Sequence, residues 1–264
     1  MAAQLKRDPL GRGPDLFVTR LSVNLNKVAL LRNSRSLGIP SVVHAAERCI
    51  AAGAHGITVH PRPDQRHVKP RDVLELAELL RDHPDVEFNI EGNPFPEFLE
   101  LARKAQPVQC TLVPDGPDAV TSDHGWDLDA EAGWLKPIIS ELHDGGTRVS
   151  VFMDVDSDQW EQARELGADR VELYTQPYAA AYGRNDFETV LGRFAAAAKA
   201  AQLVGLGVNA GHDLNLQNLG RFSRIPGILE VSIGHALVSD ALELGLYNAV
   251  RAYLQVLASS AAAA

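Results

Sequence analysis

Eight short runs rich in β-branched and aromatic residues, each followed by a helical pattern, recur from Leu21 to Leu257. Strands that alternate with helices in this way read as parallel βα units, because a parallel neighbour is reached only through a crossover. The runs are Leu21 to Leu25, Gly56 to His60, Val86 to Ile90, Gln109 to Val113, Arg148 to Met153, Arg170 to Tyr174, Gly205 to Asn209 and Glu230 to Ile233. Helices are predicted at Val42 to Ala52, Asp72 to Arg81, Pro96 to Lys104, Glu161 to Leu166, Phe187 to Gln202 and Ala236 to Leu257, within a count of eight. A weak internal echo supports the count: Ala52-Gly53-Ala54 and Leu166-Gly167-Ala168 each put glycine where a helix ends in a left-handed residue before the next strand. Eight units close a barrel. The prediction is α/β: a single-domain (β/α)8 TIM barrel over 20–258, with a flexible leader at 1–19 and a disordered tail at 259–264.

Composition narrows the function. A length of 264 residues suits one such barrel, and 45% apolar residues supply a large core. The formal charge of −9 argues against nucleic acid, which needs a basic face. Cys49 and Cys110 are the only thiols and form no CxxC or disulfide framework, so a reducing cytoplasm is expected. No signal-peptide core and no apolar run near the roughly 18 residues of a membrane helix is present, so no membrane association is expected.

Barrel active sites lie beyond the carboxyl ends of the strands, and polar residues collect there in this chain. The second run ends in His60-Pro61-Arg62-Pro63-Asp64-Gln65-Arg66-His67, where His60, Arg62 and His67 would converge on an anion, with phosphate the natural candidate. Other strand ends carry Asn24, Asn26 and Lys27, then Glu91, then Thr121 and Ser122, and later His212, Asp213, Gly234 and His235. Gly211, Gly234 and the helix starting near Ala236 suggest a second phosphate site. Each Asn or Asp taken singly reads as a helix cap or turn residue. Glu91 near apolar walls would have its pKa raised toward about 6 to 7, the useful range for acid–base work. Glu172 lies inside a strand, so it points either outward to a partner or into the barrel. His55, Cys49 and Cys110 read as structural. No HxH or HExxH spacing occurs, and the histidines sit beside arginines that would repel a cation, so neither a metal nor a cofactor is expected.

Six segments in order, Val23 to Arg35, Ile57 to His67, Asn89-Ile90-Glu91, Leu112-Val113-Pro114, Val208 to His212 and Ile233 to Ala236, resemble the pyridoxine 5'-phosphate synthase family. The resemblance implies a (β/α)8 barrel that assembles as a homo-oligomer, typically an octamer. It further implies a transferase-class, ring-forming condensation of 1-deoxy-D-xylulose 5-phosphate with 3-amino-2-oxopropyl phosphate, giving pyridoxine 5'-phosphate, inorganic phosphate and water. By the family pattern His60 and Glu91 are proton acceptors, His212 a proton donor and Glu172 a stabiliser of the transition state. Arg62, His67 and Thr121 would hold the deoxyxylulose phosphate, and Asn24, Arg35, Gly234 and His235 the amino-ketone phosphate. The chain departs from the commoner family pattern at Asn26-Lys27, where most members carry Asp-His, and at Asp213, where they carry glycine. Asn26 and Lys27 could still hydrogen-bond a sugar hydroxyl. Asp213 would either repel a phosphate mildly or cap the following helix. Two other readings remain open: an aldolase-like phosphosugar enzyme with a Schiff base on Lys27, and a non-catalytic phosphosugar-binding barrel.

Overall fold

Along most of the strands polar residues alternate with apolar ones, and closing the sheet separates the two sets. The computed structural model describes residues 19–116 and 122–262. Eight parallel strands form a closed barrel in sequence order, with β8 hydrogen-bonded back to β1. They are β1 (Arg20–Asn24), β2 (Gly56–Val59), β3 (Glu87–Gly92), β4 (Gln109–Leu112), β5 (Arg148–Met153), β6 (Arg170–Tyr174), β7 (Gly207–His212) and β8 (Ile228–Ile233). The fold is thus the expected (β/α)8 barrel. Strand residues such as Leu21, Val23, Ile57, Val59, Ile90, Leu112, Val151 and Val231 have no solvent exposure and join the single large apolar cluster between sheet and helices. Cys49 and Cys110 are buried in that cluster, and His55 Nδ1 accepts the Leu21 amide at 3.1 Å, so all three serve packing.

The helical layer is more divided than eight units require. Among the described residues it comprises eleven segments: α1 (Asn26–Asn33), α2 (Val42–Ala51), α3 (Pro70–Arg81), α4 (Pro96–Ala105), α5 (Leu128–Asp144), α6 (Trp160–Glu165), α7 (Gln176–Ala181), α8 (Phe187–Leu203), α9 (Leu219–Phe222), α10 (His235–Leu244) and α11 (Leu246–Ala261). The connections after β1, β6 and β8 each carry two. The run predicted as one helix from Ala236 to Leu257 breaks at Gly245, whose φ of +75° is open to glycine and strained for other residues. The break lets α11 pack on α2, α9 and β1. α11 also continues past 258: Ser260 is buried and donates to Gly220 O at 3.2 Å, so residues 259–261 are helical rather than frayed. Of the predicted leader only Thr19 is described, and its hydroxyl donates to Ile228 O at 3.0 Å. Gly53 and Gly167 hold φ of +96° and +101°, as their places at helix ends require.

Candidate active site

The polar set of strand residues fills the lumen, where bulky aliphatic side chains are usual in this fold. At the floor Glu87 is clamped between Arg20, at 2.8 Å, and Arg148, while Arg148 Nε donates to Gln109 Oε1 at 2.9 Å and Arg170 donates to Asn209 Oδ1 at 3.2 Å. Asn209 Nδ2 reaches Gln109 Oε1 at 3.5 Å from β7 to β4, which places both side chains in the interior. Above them Ser22, Thr58, Asn89 and Thr111 form a hydrogen-bonded chain. Buried polar groups need partners, and these strands supply them to one another.

The mouth holds a cavity of about 530 Å³. It brings together His60 and Arg62 after β2, His67 from the same loop, Glu91 on β3, Glu172 on β6, His212 and Asp213 at the end of β7, and Gly234 and His235 after β8. Asn24, Asn26 and Lys27 complete the predicted set on its wall. Two expectations fall outside it. Arg35 is exposed in the segment after α1, which ends at Asn33, and does not line the cavity. Thr121 lies outside the described residues.

The loop from His60 to Lys69 is braced from two helices. Buried Arg32 on α1 pairs with Asp72 on α3, and its Nη2 donates to His67 O, while Asn33 Nδ2 donates to the same carbonyl at 2.7 Å. Asp72 Oδ2 accepts the Lys69 amide at 2.8 Å, which closes the N-terminal turn of α3. Asn26 Oδ1 accepts the His60 amide at 2.8 Å, tying the ends of β1 and β2 together, and Asn24 Oδ1 accepts the Asn26 amide at 3.0 Å, fixing the turn that carries it. Arg62 Nη1 meets Asp115 Oδ2 at 2.7 Å, both nearly fully buried, and Ser122 Oγ donates to the same carboxylate oxygen. This pair fixes the guanidinium at the cavity wall. Asp115 and Ser232 are site residues that the sequence alone does not single out.

Charge divides the cavity. Burial, then the Arg62 charge and His67, hold His60 down to about 3, and burial with Arg62 and Lys27 holds His67 to about 4. Both imidazoles are therefore neutral at pH 7, and His67 Nδ1, which accepts the Val68 amide at 2.9 Å, keeps its proton on Nε2. The carboxyls move the other way. Burial raises Glu91 to about 8, above the range its sequence context suggested, with Ser232 opposing and Glu230 and Asp115 adding. Its only partners among the described residues are neutral: Asn24 Nδ2 at 3.3 Å and Ser232 Oγ at 3.4 Å. Glu172 points into the barrel and is pushed well above the carboxylate range by burial first and the Glu91 charge second. Gly211 makes room for it, since a Cβ there would collide with Glu172 Oε1. Among the described residues neither carboxyl has an ion-pair partner, so burial holds both above the usual carboxylate range.

At the end of β7, His212 adopts a φ of +104°, an uncommon backbone state for a side chain and one that clusters at functional sites. Asp213 Oδ2 lies 2.9 Å from His212 Nδ1, and this bond holds Asp213 below the usual carboxylate range. Asp213 therefore does not cap the following helix, whose N-cap is Asn218. Lys27 sits in the first turn of α1 rather than on a strand. Among the described residues no three His, Cys, Asp or Glu side chains gather as a metal-ligand cluster.

Comparison with known proteins assigns this geometry. The family described as pyridoxal phosphate biosynthesis protein PdxJ matches residues 21–259. The chain belongs to the PdxJ family. It is 56% identical over 248 residues to the pyridoxine 5'-phosphate synthase of Albidiferax ferrireducens, covering 92% of this chain and 98% of that one. It is 54% identical over 251 residues to the synthase of Xanthomonas axonopodis pv. citri, covering 92% and 98%. Membership of the PdxJ family makes the chain an enzyme of pyridoxine phosphate biosynthesis. Among solved structures, 3-hexulose-6-phosphate synthase superposes with a TM-score of 0.60 at 14% identity, covering 90% of this chain and 99% of that one. Phosphoribosyl anthranilate isomerase from Thermus thermophilus gives 0.57 at 17% identity, covering 91% and 99%. At such identities these likenesses speak for the barrel alone.

Proposed function

We propose that this enzyme condenses 1-deoxy-D-xylulose 5-phosphate with 3-amino-2-oxopropyl phosphate to pyridoxine 5'-phosphate, releasing phosphate and water. The observation that carries the reading is one cavity with two anion-accepting walls beside the buried carboxyls of Glu91 and Glu172. Lys27, Arg62, Arg66 and His67 form one wall, suited to the deoxyxylulose phosphate. Gly234 and His235 at the positive end of α10 form the other, suited to the amino-ketone phosphate. Attack of an amine on a ketone, loss of water, elimination of phosphate and ring closure move several protons, so more than one acid–base group is needed. In the resting site His60 enters without a proton and Glu91 with one. His60 is thus the first acceptor, and Glu91 takes protons only after it has given its own away. A bound phosphate dianion would offset the Arg62 charge that depresses His60 and make the imidazole a stronger base. Glu172, deep in the barrel and raised above the usual carboxylate range, stabilises developing charge, and His212 donates a proton. Holding both substrates in one enclosure supplies much of the remaining acceleration.

Mixing purified protein with both substrates should generate the absorbance of pyridoxine 5'-phosphate together with inorganic phosphate, and either substrate alone should give neither. Absence of product with both would overturn the reading. Borohydride treatment in the presence of substrate should leave Lys27 unmodified; an adduct there would favour the aldolase chemistry. The same reading includes a cytoplasmic homo-oligomer, an octamer by family resemblance. Two buried free thiols suit a reducing compartment, and exposed Leu37, Ile39 and Leu242 suit subunit contacts. Light scattering on the purified protein tests the mass.

A further inference from the structure

The His212 imidazole is held on two sides. Asp213 Oδ2 lies 2.9 Å from Nδ1, and the Tyr174 ring meets the imidazole edge to face, with centroids 5.2 Å apart and an interplanar angle of 80°. Tyr174 is itself backed by Phe152 at 5.5 Å. The backbone that carries Asp213 is anchored as well. Asn218 Nδ2 donates to Asp213 O at 3.3 Å, and buried Asn218 is fixed in turn by Tyr178, whose hydroxyl donates to Asn218 O at 2.6 Å. A carboxylate accepts only, so the bond to Asp213 requires the proton of the neutral imidazole to sit on Nδ1.

We propose that Asp213 is a positioning residue for His212: its carboxylate fixes the Nδ1-protonated tautomer and the ring orientation, making Nε2 the atom that exchanges a proton with the substrate. The inference rests on the reading of His212 as a proton donor. A histidine that donates from Nε2 becomes an imidazolium before it does so, and an acceptor fixed at Nδ1 stabilises that state and keeps the ring from turning over. Asp213 touches no reacting atom in this scheme; it acts through the imidazole. It also answers why an acidic residue is tolerated at the rim of a cavity built for phosphates. Its charge is directed at His212, with His235 at the start of α10 as the other nearby cation when protonated. Tyr174 on β6, raised by burial first and by the Asp213 charge second, is another titratable group beside it.

The test uses the full-length protein with 15N-labelled histidine and three variants, Asp213→Ala, Asp213→Asn and Asp213→Glu. In the unaltered protein His212, assigned by the signal lost in His212→Gln, should show a protonated Nδ1 and an unprotonated Nε2. Asp213→Ala should mix the tautomers and lower kcat roughly 10- to 100-fold with KM changed less than about twofold. Asp213→Asn should fall between, and Asp213→Glu should recover part of kcat together with the Nδ1–H signal. Circular dichroism matching the unaltered protein checks the fold. Retention of the Nδ1–H tautomer in Asp213→Ala, or a tautomer change with kcat intact, overturns the proposal. So does an effect confined to KM, which would make Asp213 a substrate contact. The two readings fail separately: full turnover by His212→Gln removes His212 as proton donor, while the tautomer measurement judges the dyad without any turnover.

Discussion

The lumen of this barrel holds glutamates at both ends, and the two ends treat them oppositely. At the floor Glu87 is buried, yet the charges of Arg148, Arg170 and Arg20 outweigh that burial and keep its carboxyl below the usual range. At the mouth Glu91 has, among the described residues, only an amide and a hydroxyl for partners, and burial prevails. Glu230 shows that a nearby arginine is not sufficient. It shares the floor with Arg170, but that guanidinium bonds Asn209, and Glu230 remains raised by burial. A direct ion pair, not depth in the barrel, decides which carboxyl is a structural anion and which is a reservoir for protons.

The largest expected effect separates the ends by function. Glu91→Gln should cut kcat by roughly 10²- to 10⁴-fold, the usual worth of a positioned acid–base group, while urea unfolding shows stability unchanged or raised. A large loss of stability with activity preserved would erase the contrast. Next comes the reverse substitution. Glu87→Gln should lower stability by about 3 kcal/mol or more, because it leaves Arg20 and Arg148 facing the lumen uncompensated, with a much smaller effect on kcat measured under folded conditions.

The third effect is a pH slope. Glu91 has a folded pKa of about 8 against an ordinary 4.5. Between those values the unfolded chain has released the proton and the folded one has not, so its contribution to stability falls as pH rises through that window and is level above about 8. Glu172 acts in the same direction. His60, held to about 3 against an ordinary 6.5, makes stability fall as pH drops through the interval between them. Urea midpoints measured across pH should therefore show the alkaline-side decline weakened in Glu91→Gln; an unchanged slope would remove Glu91 from the proton reservoir. The smallest effect sharpens the comparison. Ser232→Ala deletes the bond that lowers Glu91, so the alkaline limb of the stability curve should move upward, with kcat changed by only about a few-fold.

Sequence logic reached the mouth but not the floor, for a physical reason. His60, Glu91, His212 and Gly234 each follow a β run, and the rule that barrel sites gather at strand ends brings them together before any coordinates exist. Arg20, Glu87, Arg148 and Arg170 stand at the first residue of their strands, where a charge reads as an ordinary solvated start. Only closure of the sheet turns those starts into one buried ion network. Asp115 follows Pro114 and reads as a turn residue; its partner Arg62 is 53 positions away, a pairing that no local pattern encodes. Glu172 could be narrowed to two orientations, and Gly211 opposite it is what permits the inward one. The helix break at Gly245 escaped notice because the run from Ala236 to Leu257 stays helix-compatible on both sides of a glycine.

The hydrogen-bonded seam between β1 and β8 carries a consequence for how the enzyme comes into being. Arg20 pairs in register with Glu230, so the opening and closing strands of the polypeptide are neighbours, and α11 packs across β1 from outside. In chain order β8 and α11 come after every other strand of the barrel. Without them β1 keeps an unpaired edge, and the charged interior stays open to water. Catalytic competence therefore depends on closing that seam, and a truncation that spares every residue of the mouth but removes α11 should yield a chain without turnover.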